Sequence, residues 1–295
     1  MKAVEYWTSN QPGFKFAQAR PGTPEFFAEV QEHRYALEPH IREMARFELW
    51  AGKDVLDVGC GIATDGVQFA RAGARYVGVD ASPTAVELAH RRFALEDLEG
   101  SIIEGSATAL PFEENTFDLV WSHGVIHHIE DTEAAAAEFH RVLRPGGVAI
   151  VMLYHRRSFN YALTIMGLRR MLAASLLVPG GTAAVSKLTG EDRDVLDEHR
   201  QLLRTYGLRY LSDRQLFLSN NTDGPGNPLS KVYSRDEAAH LFRRFSLVRT
   251  EVRHLNARLY PGGRRLERTR LGRALGRRAG WHLYVHAVKQ RPRRA

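Results

Sequence analysis

The sequence predicts an α/β protein: a doubly wound, seven-stranded, mostly parallel sheet carrying an N-terminal helical arm and an inserted helical lid. Three observations predict it. Short apolar strands alternate with helical stretches from residue 54 to 153, the pattern of parallel strands joined by crossover helices. Two glycines, Gly59 and Gly61, follow the first of those strands directly and open a helix. The strand pattern then resumes at 247–254 and 281–289, after a long stretch of different rhythm.

The elements follow in chain order. Tyr6, Trp7, Pro12, Gly13, Pro21 and Gly22 punctuate an opening segment read as an ordered arm too irregular for a long element. From 26 to 50 apolar and aromatic residues recur at helical spacing and are interrupted at Pro39, which predicts two helices meeting at a bend. Strands are expected at 54–58, 76–80, 101–104 and 117–121, and helices at 64–72, 83–94 and 133–143. Pro145, Gly146 and Gly147 then stop the last of these helices, and the apolar run 148–153 reads as a strand buried on both faces. The stretch 154–231 offers helices at 161–177 and 194–206 and a Gly, Pro and Asn loop at 220–228. Ser234 and Glu237 have capping-box spacing for a helix through Phe242. A helix at 264–279 precedes the closing strand. The expected organisation is therefore an arm at 1–50, a core at 51–154, an inserted lid at 155–231, and completion of the sheet, with a basic helical insertion, at 232–295.

Composition bounds the function. Hydrophobic residues make up 44% and charged residues 25% of the 295-residue chain, which is ordinary for a globular protein and excludes fibrous or extensively disordered classes. Cys60 is the single cysteine, so no internal disulfide forms and no oxidising compartment is required. No apolar run approaches a bilayer span and the amino terminus has no export-signal core, so cytoplasm is the expected compartment. The formal charge of +7 is concentrated late, in RLYPGGRRLERTRLGRALGRRAG and the final RPRRA. An anionic partner would account for it, as would an Arg-rich solvated helix. Beyond Tyr260 no aromatic residue interleaves with those arginines as a base-stacking platform requires, so nucleic acid is not the expected partner.

The run VLDVGCG places Gly59 and Gly61 where a missing side chain lets backbone approach a ligand closely. Asp80 ends the next strand about twenty residues on, the position and residue type for accepting hydrogen bonds from a ribose diol. A tight strand-to-helix turn would explain the glycines alone. Further motifs narrow the choice: VLDVGCGIATD, YVGVDASPTAVELA, LPFEENTFDLVWSHGVIHHI and FHRVLRPGGVAIVML. With these the chain resembles class I S-adenosylmethionine-dependent methyltransferases, particularly the ubiquinone and menaquinone biosynthesis branch, over about residues 55–153.

The resemblance implies a Rossmann-like methyltransferase fold, S-adenosyl-L-methionine as cofactor and 51–154 as its binding core. It implies that the loop of Asp57, Gly59, Cys60 and Gly61 wraps the methionine part, with the acid favouring its ammonium group. Asp80 matches the acid on the ribose hydroxyls, with Ala81 and Ser82 flanking the adenine. Ser106 and Ala107 stand where that branch commonly has Asp and a small residue, and Ala63 replaces a frequent third glycine. Ser122 and His123 fall between cofactor and acceptor. Tyr6 and Trp7 are expected either to fold over the ligands or to anchor the arm.

His127 and His128 are the leading catalytic candidates, because histidine titrates near neutrality and can accept a proton from a nucleophile. Packing around the cofactor pocket is the competing role. Tyr154, at the end of the fifth strand, is a third catalytic candidate, and His155 beside it is a further pocket candidate. Arg34 and Tyr35 read as a surface pair on the first long helix or as an anion contact. No metal is expected, since the two adjacent histidines have no Cys or HxxxH partner nearby. The expected reaction is methyl transfer to a small organic acceptor, a secondary metabolite or quinone-like molecule, at O, N or C. Alternatives are an RNA methyltransferase using the basic C-terminal region and a cofactor-binding module without turnover. A homodimer is compatible with the sequence.

Overall fold

The computed structural model describes residues 2–258 and 260–291. Leu259 and the last four residues of the basic RPRRA run lie outside them. In chain order the helices are α1 (Lys2–Ser9), α2 (Pro24–Leu37), α3 (His40–Ala45), α4 (Thr64–Arg71), α5 (Pro83–Leu95) and α6 (Thr132–Val142). A wide π-type helix (Asn160–Arg169) leads into α7 (Arg170–Ser175), followed by α8 (Gly181–Thr189), α9 (Arg193–Tyr206), α10 (Arg209–Ser212) and α11 (Arg214–Thr222). The last three are α12 (Arg235–Leu241), α13 (Gly263–Arg268) and α14 (Arg270–Ala279). Strands are β1 (Asp54–Val58), β2 (Arg75–Asp80), β3 (Ser101–Glu104), β4 (Phe117–His123), β5 (Leu143–Tyr154), β6 (Leu247–Arg253) and β7 (His282–Val288).

The seven strands form one sheet in the order β3-β2-β1-β4-β5-β7-β6. β1 to β5 pair in parallel, and Asp57 lies opposite Gly78 on one side and Trp121 on the other. Beyond β5, Gly146 donates to Lys289 O while Lys289 donates to Gly147 O, an exchange between oppositely running strands. The expected fold class is therefore observed, as a mixed sheet. Strand order reverses between β1 and β4, because the chain leaves β1 toward β2 and later returns to pair β4 on β1's other edge. Such a reversal opens a crevice at the carboxyl ends of the two strands.

The chain divides into two compact units. The first holds residues 1–153, 235–251 and 284–295. β1 is buried over Val55–Val58, so its side chains meet helices on both faces, and Trp121 is fully buried on β4. Thr23 caps α2 by accepting from Phe26 N–H, with Pro24 at the first helical position. The helix buries Phe26, Phe27 and Val30 in a cluster with Ile62 of the glycine turn. Burying each such side chain contributes roughly 1.5–3 kcal/mol, so the arm and the turn share one small core. A second anchor is Arg92 of α5, 1% exposed, which bonds Glu96, Thr64 and Gln31 and lies over the Phe27 ring.

Local differences from the sequence reading have identifiable causes. The opening segment contains an eight-residue helix, α1. Polar side chains cap its carbonyls: Asn10 Nδ2 donates to Tyr6 O and Gln11 Nε2 to Trp7 O. The expected helix at 264–279 is split at Thr269, whose hydroxyl caps α14 by accepting from Gly272 N–H. The helix expected at 161–177 is π-type through Arg169.

The second unit holds residues 154–234 and 252–283. Tyr210, Phe217, Leu196 and Leu203 are buried there, around a polar centre in which Tyr210 Oη lies 2.7 Å from His199 Nδ1 and accepts from Asn221 Nδ2. Its 223–230 loop is held by Asn220 Oδ1, which accepts from Gly226 N–H, and by Asn227 Nδ2, which donates to Ser230 Oγ.

Candidate active site

The glycine turn follows β1. Gly59 has φ +76°, and a Cβ there would stand 2.2 Å from Val125 Cγ2, so both conformation and space demand glycine. Gly59 and Cys60 N–H both donate to Val79 O, folding the turn onto β2. Gly61 has φ +54°, and a Cβ there would meet nothing within 4 Å. Ala63, in the place of the third glycine, is fully buried at φ +55° and precedes the first residue of α4.

Asp80, at the end of β2, is bonded to that turn. Its Oδ2 accepts from Gly61 N–H at 2.8 Å and its Oδ1 from Ser82 N–H at 2.9 Å. Burial raises its pKa, opposed by the N–H groups of Ser82, Gly61 and Ala81. Each carboxylate oxygen retains a second lone pair. Ser82 caps α5 and receives Gln11 Nε2 of the arm at 2.9 Å. Ala81 lies between these two anchored residues. Ser106 is exposed and its hydroxyl closes a local turn by accepting from Thr108 N–H, while Ala107 beside it is buried.

Two acids near the turn are driven in opposite directions. Asp57 is buried and accepts from Tyr76 Oη at 3.1 Å. Burial first, and then the charge of Asp65, pushes its pKa well above the ordinary value. Burial also acts on Asp65, but Arg34 overrides it through charge and hydrogen bonds, and Tyr35 and His123 add to the effect, so Asp65 is held at about 2. Cys60 is pushed up by burial and by the neighbouring acids, so its thiol stays protonated.

Asp65 is the hub of a network that the sequence reading did not assemble. Arg34 grips it with two bonds of 3.1 and 2.7 Å, Tyr35 Oη donates at 2.9 Å and Trp121 Nε1 at 3.2 Å. Arg34 and Tyr35 are therefore not a surface pair. Their anion is Asp65, and Tyr35 is 7% exposed. Arg34 Nη2 also lies 3.3 Å from His123 Nδ1, and His123 Nε2 lies 2.8 Å from Tyr284 Oη. A guanidinium only donates, which assigns the acceptor role to Nδ1 and the proton to Nε2, directed at Tyr284. The His123 ring also stacks on Trp121, with centroids 5.7 Å apart.

Ser122, fully buried, donates to Val58 O and ties β4 to β1. His127 and His128 follow on a single 3-10 turn, with ring centroids 4.3 Å apart. His127 is fully buried, and burial, then His128 and His123, lowers its pKa well below the ordinary value. A base must carry the proton it takes, and this environment opposes that charge. His128 meets the edge of Trp7 at 4.9 Å, and Trp7 in turn meets Tyr6 at 5.1 Å. The structure thus brings the glycine turn, Asp80, His123, the histidine pair and the arm to one edge of the first unit. Tyr154 belongs to the second unit, where it stacks on Trp281 at 4.3 Å and donates to Asp223 Oδ1. His155 lies there too, with Nδ1 3.1 Å from Gly280 O.

Of the network's members Asp65 carries the clearest signal in the sequence, since it closes the VLDVGCGIATD motif. An acid in the first turn of a helix also has an ordinary reason to be there, the helix dipole, which hides the signal. Tyr284 carries no local signal, because 161 residues separate it from His123.

Comparison with known proteins bears on the family and the fold. A methyltransferase-domain family matches residues 56–151. An uncharacterized methyltransferase of Mycolicibacterium vanbaalenii is 32% identical over 142 residues, 47% of this chain and 52% of that protein. The chain thus spans about half the length of this relative. The ubiquinone biosynthesis O-methyltransferase of Mesorhizobium japonicum is 30% identical over 190 residues, 63% of this chain and 72% of that protein. Among solved structures, magnesium protoporphyrin IX methyltransferase of Synechocystis PCC 6803 with bound SAH aligns with a TM-score of 0.53, over 97% of this chain and 98% of that one. At 14% identity that likeness concerns the fold. The glycine turn with its anchored acid, the sheet order and the extent of the match to relatives together place the chain in the S-adenosylmethionine-dependent methyltransferases.

Proposed function

We propose that this chain transfers a methyl group from S-adenosylmethionine to a small organic acceptor, of the secondary-metabolite or quinone-like class. The observation that carries the reading is the joining of Asp80 to the glycine turn through Gly61 N–H. An acceptor for a ribose diol and a bare backbone surface then form a single edge. The residues fit the cofactor: a side chain at Gly61 would project into open space, and Asp80 keeps acceptor capacity beyond its backbone bonds. When bound there, S-adenosylmethionine supplies a methyl group already activated by its sulfonium.

The work left to the chain is positioning and the exclusion of water. Asp80 would hold the ribose, and Ala81, Ser82 and the Ser106–Ala107 turn would border the adenine. Asp57 faces the methionine part, and an ammonium group beside it would draw it back toward the ionised form. His123, oriented by Arg34 and Tyr284, borders the reacting centre with Ser122 behind it. Of the pair, His127 is fully buried and resists protonation, and His128, itself 5% exposed, carries the contact to Trp7. Tyr6 and Trp7 cover this edge, with Trp7 against His128.

The test is transfer of labelled methyl from S-adenosylmethionine to a panel of phenolic, hydroquinone and amine acceptors, with bulk RNA as a parallel arm. Label in the organic extract is the expected result. Label on RNA alone, or none on any acceptor while the cofactor binds, would overturn the reading.

A further inference from the structure

Helix α14, RLGRALGRRA, departs from the usual arrangement of an amphipathic helix. Such a helix normally turns its apolar stripe inward. Here the inward positions are Gly272 and Gly276, and a Cβ at Gly272 would stand 1.9 Å from Leu266 O of α13. The glycines let the backbone seat closely, and the leucines are turned out. Leu271 is 62% and Leu275 39% exposed, and their four-residue spacing puts them on one side of the helix.

Beside them the exposed charged side chains of α13 and α14 are all basic. Arg270, Arg273, Arg277 and Arg278 are exposed on the same helix, and Arg264, Arg265 and Arg268 on α13. Glu267 is the last acid of the chain: residues 268–295 contain nine Lys or Arg and no Asp or Glu. Leucines flanked by arginines at a solvent-facing surface match a bilayer interface, where apolar side chains enter the acyl boundary and guanidinium groups stay with the phosphates. A nucleic acid would use the arginines and leave the leucines in water, and neither helix offers an aromatic ring for base stacking.

We propose that α14, with the basic face of α13, docks the protein on the surface of a bilayer bearing anionic phospholipid. The association is peripheral, since no helix among the described residues is long and apolar enough to cross a membrane. The inference rests on this surface alone and does not depend on the identity of the methyl acceptor.

The experiment is co-sedimentation of the full chain with vesicles of equal parts phosphatidylglycerol and phosphatidylcholine, against pure phosphatidylcholine. Three proteins are compared: the natural chain, the quadruple variant R270Q, R273Q, R277Q and R278Q, and the double variant L271A and L275A. Circular dichroism checks that each is folded. Binding to anionic and not to neutral vesicles is expected. Each arginine near the surface is worth about five-fold in partitioning, so the quadruple variant falls by two orders of magnitude or more. The leucine variant falls about ten-fold with its salt dependence unchanged. Equal binding by all three proteins would overturn the proposal. So would no binding to anionic vesicles, whether or not the chain shifts a single-stranded RNA.

Discussion

Asp65→Asn is the perturbation whose magnitude the structure defines best. Asp65 is 5% exposed and holds Arg34 by two bonds, with Tyr35 and Trp121 as further donors. Removing one partner of a buried ion pair costs about 3–5 kcal/mol. The Arg34 side chain is 25% exposed, and an amide oxygen still accepts from one donor, so a loss of about 2–4 kcal/mol is expected. The pH dependence gives an independent measure. A carboxyl held at about 2 against an ordinary 3.8 contributes roughly 2–3 kcal/mol. Because the folded value is the lower one, the unfolded chain takes up the proton first as pH falls. The contribution is complete above the unfolded value and disappears as pH drops through the folded one. Urea unfolding of the natural chain and the variant, followed by tryptophan fluorescence at pH 7 and pH 3, tests this. The gap between them should narrow by about 1 kcal/mol at pH 3. A gap below about 0.5 kcal/mol at pH 7, or one that ignores pH, would refute the argument that Asp65 is an ionised hub.

Three further predictions separate local roles. Gly59→Ala should lower stability by about 2–4 kcal/mol, because it adds a left-handed alanine and an overlap with Val125. Gly61→Ala, with open space at its Cβ, should cost only about 1–2 kcal/mol yet weaken cofactor binding at least ten-fold. Thermal melts and calorimetry distinguish the pair, and the reverse pattern would place the ligand elsewhere. In the second unit, burial and then Arg169 hold His199 at about 4, against 6.5. The unfolded chain binds the proton first, so the unit should lose about 2 kcal/mol of stability between pH 7 and pH 5. Hydrogen exchange over α9 to α11 measures it, and His199→Gln should flatten the dependence.

The first strands were legible because they are short and apolar and alternate with helices, of which α5 and α6 carry ordinary side-chain caps. The strand expected at 54–58 is observed at Asp54–Val58 and the one at 101–104 at Ser101–Glu104. The glycine turn and Asp80 were legible for a related reason: the chemistry lies in one contiguous run, and a parallel register brings adjacent strand ends together. What escaped was tertiary. Arg34 comes from α2, Asp65 from α4, Trp121 from β4 and Tyr284 from β7, and no periodicity joins them. Helix α1 escaped because its stop depends on the side chains of Asn10 and Gln11 and its packing on His128. The split between α13 and α14 turns on one hydroxyl, that of Thr269.

Ligand binding at the Asp80 edge is tested most directly by calorimetric titration of the folded chain with S-adenosylhomocysteine. One site per chain is predicted, with affinity falling about 10- to 100-fold in Asp80→Ala, the worth of hydrogen bonds to a charged acceptor. A folded chain that gives no heat, or an Asp80→Ala variant that binds as tightly as the natural one, would contradict it.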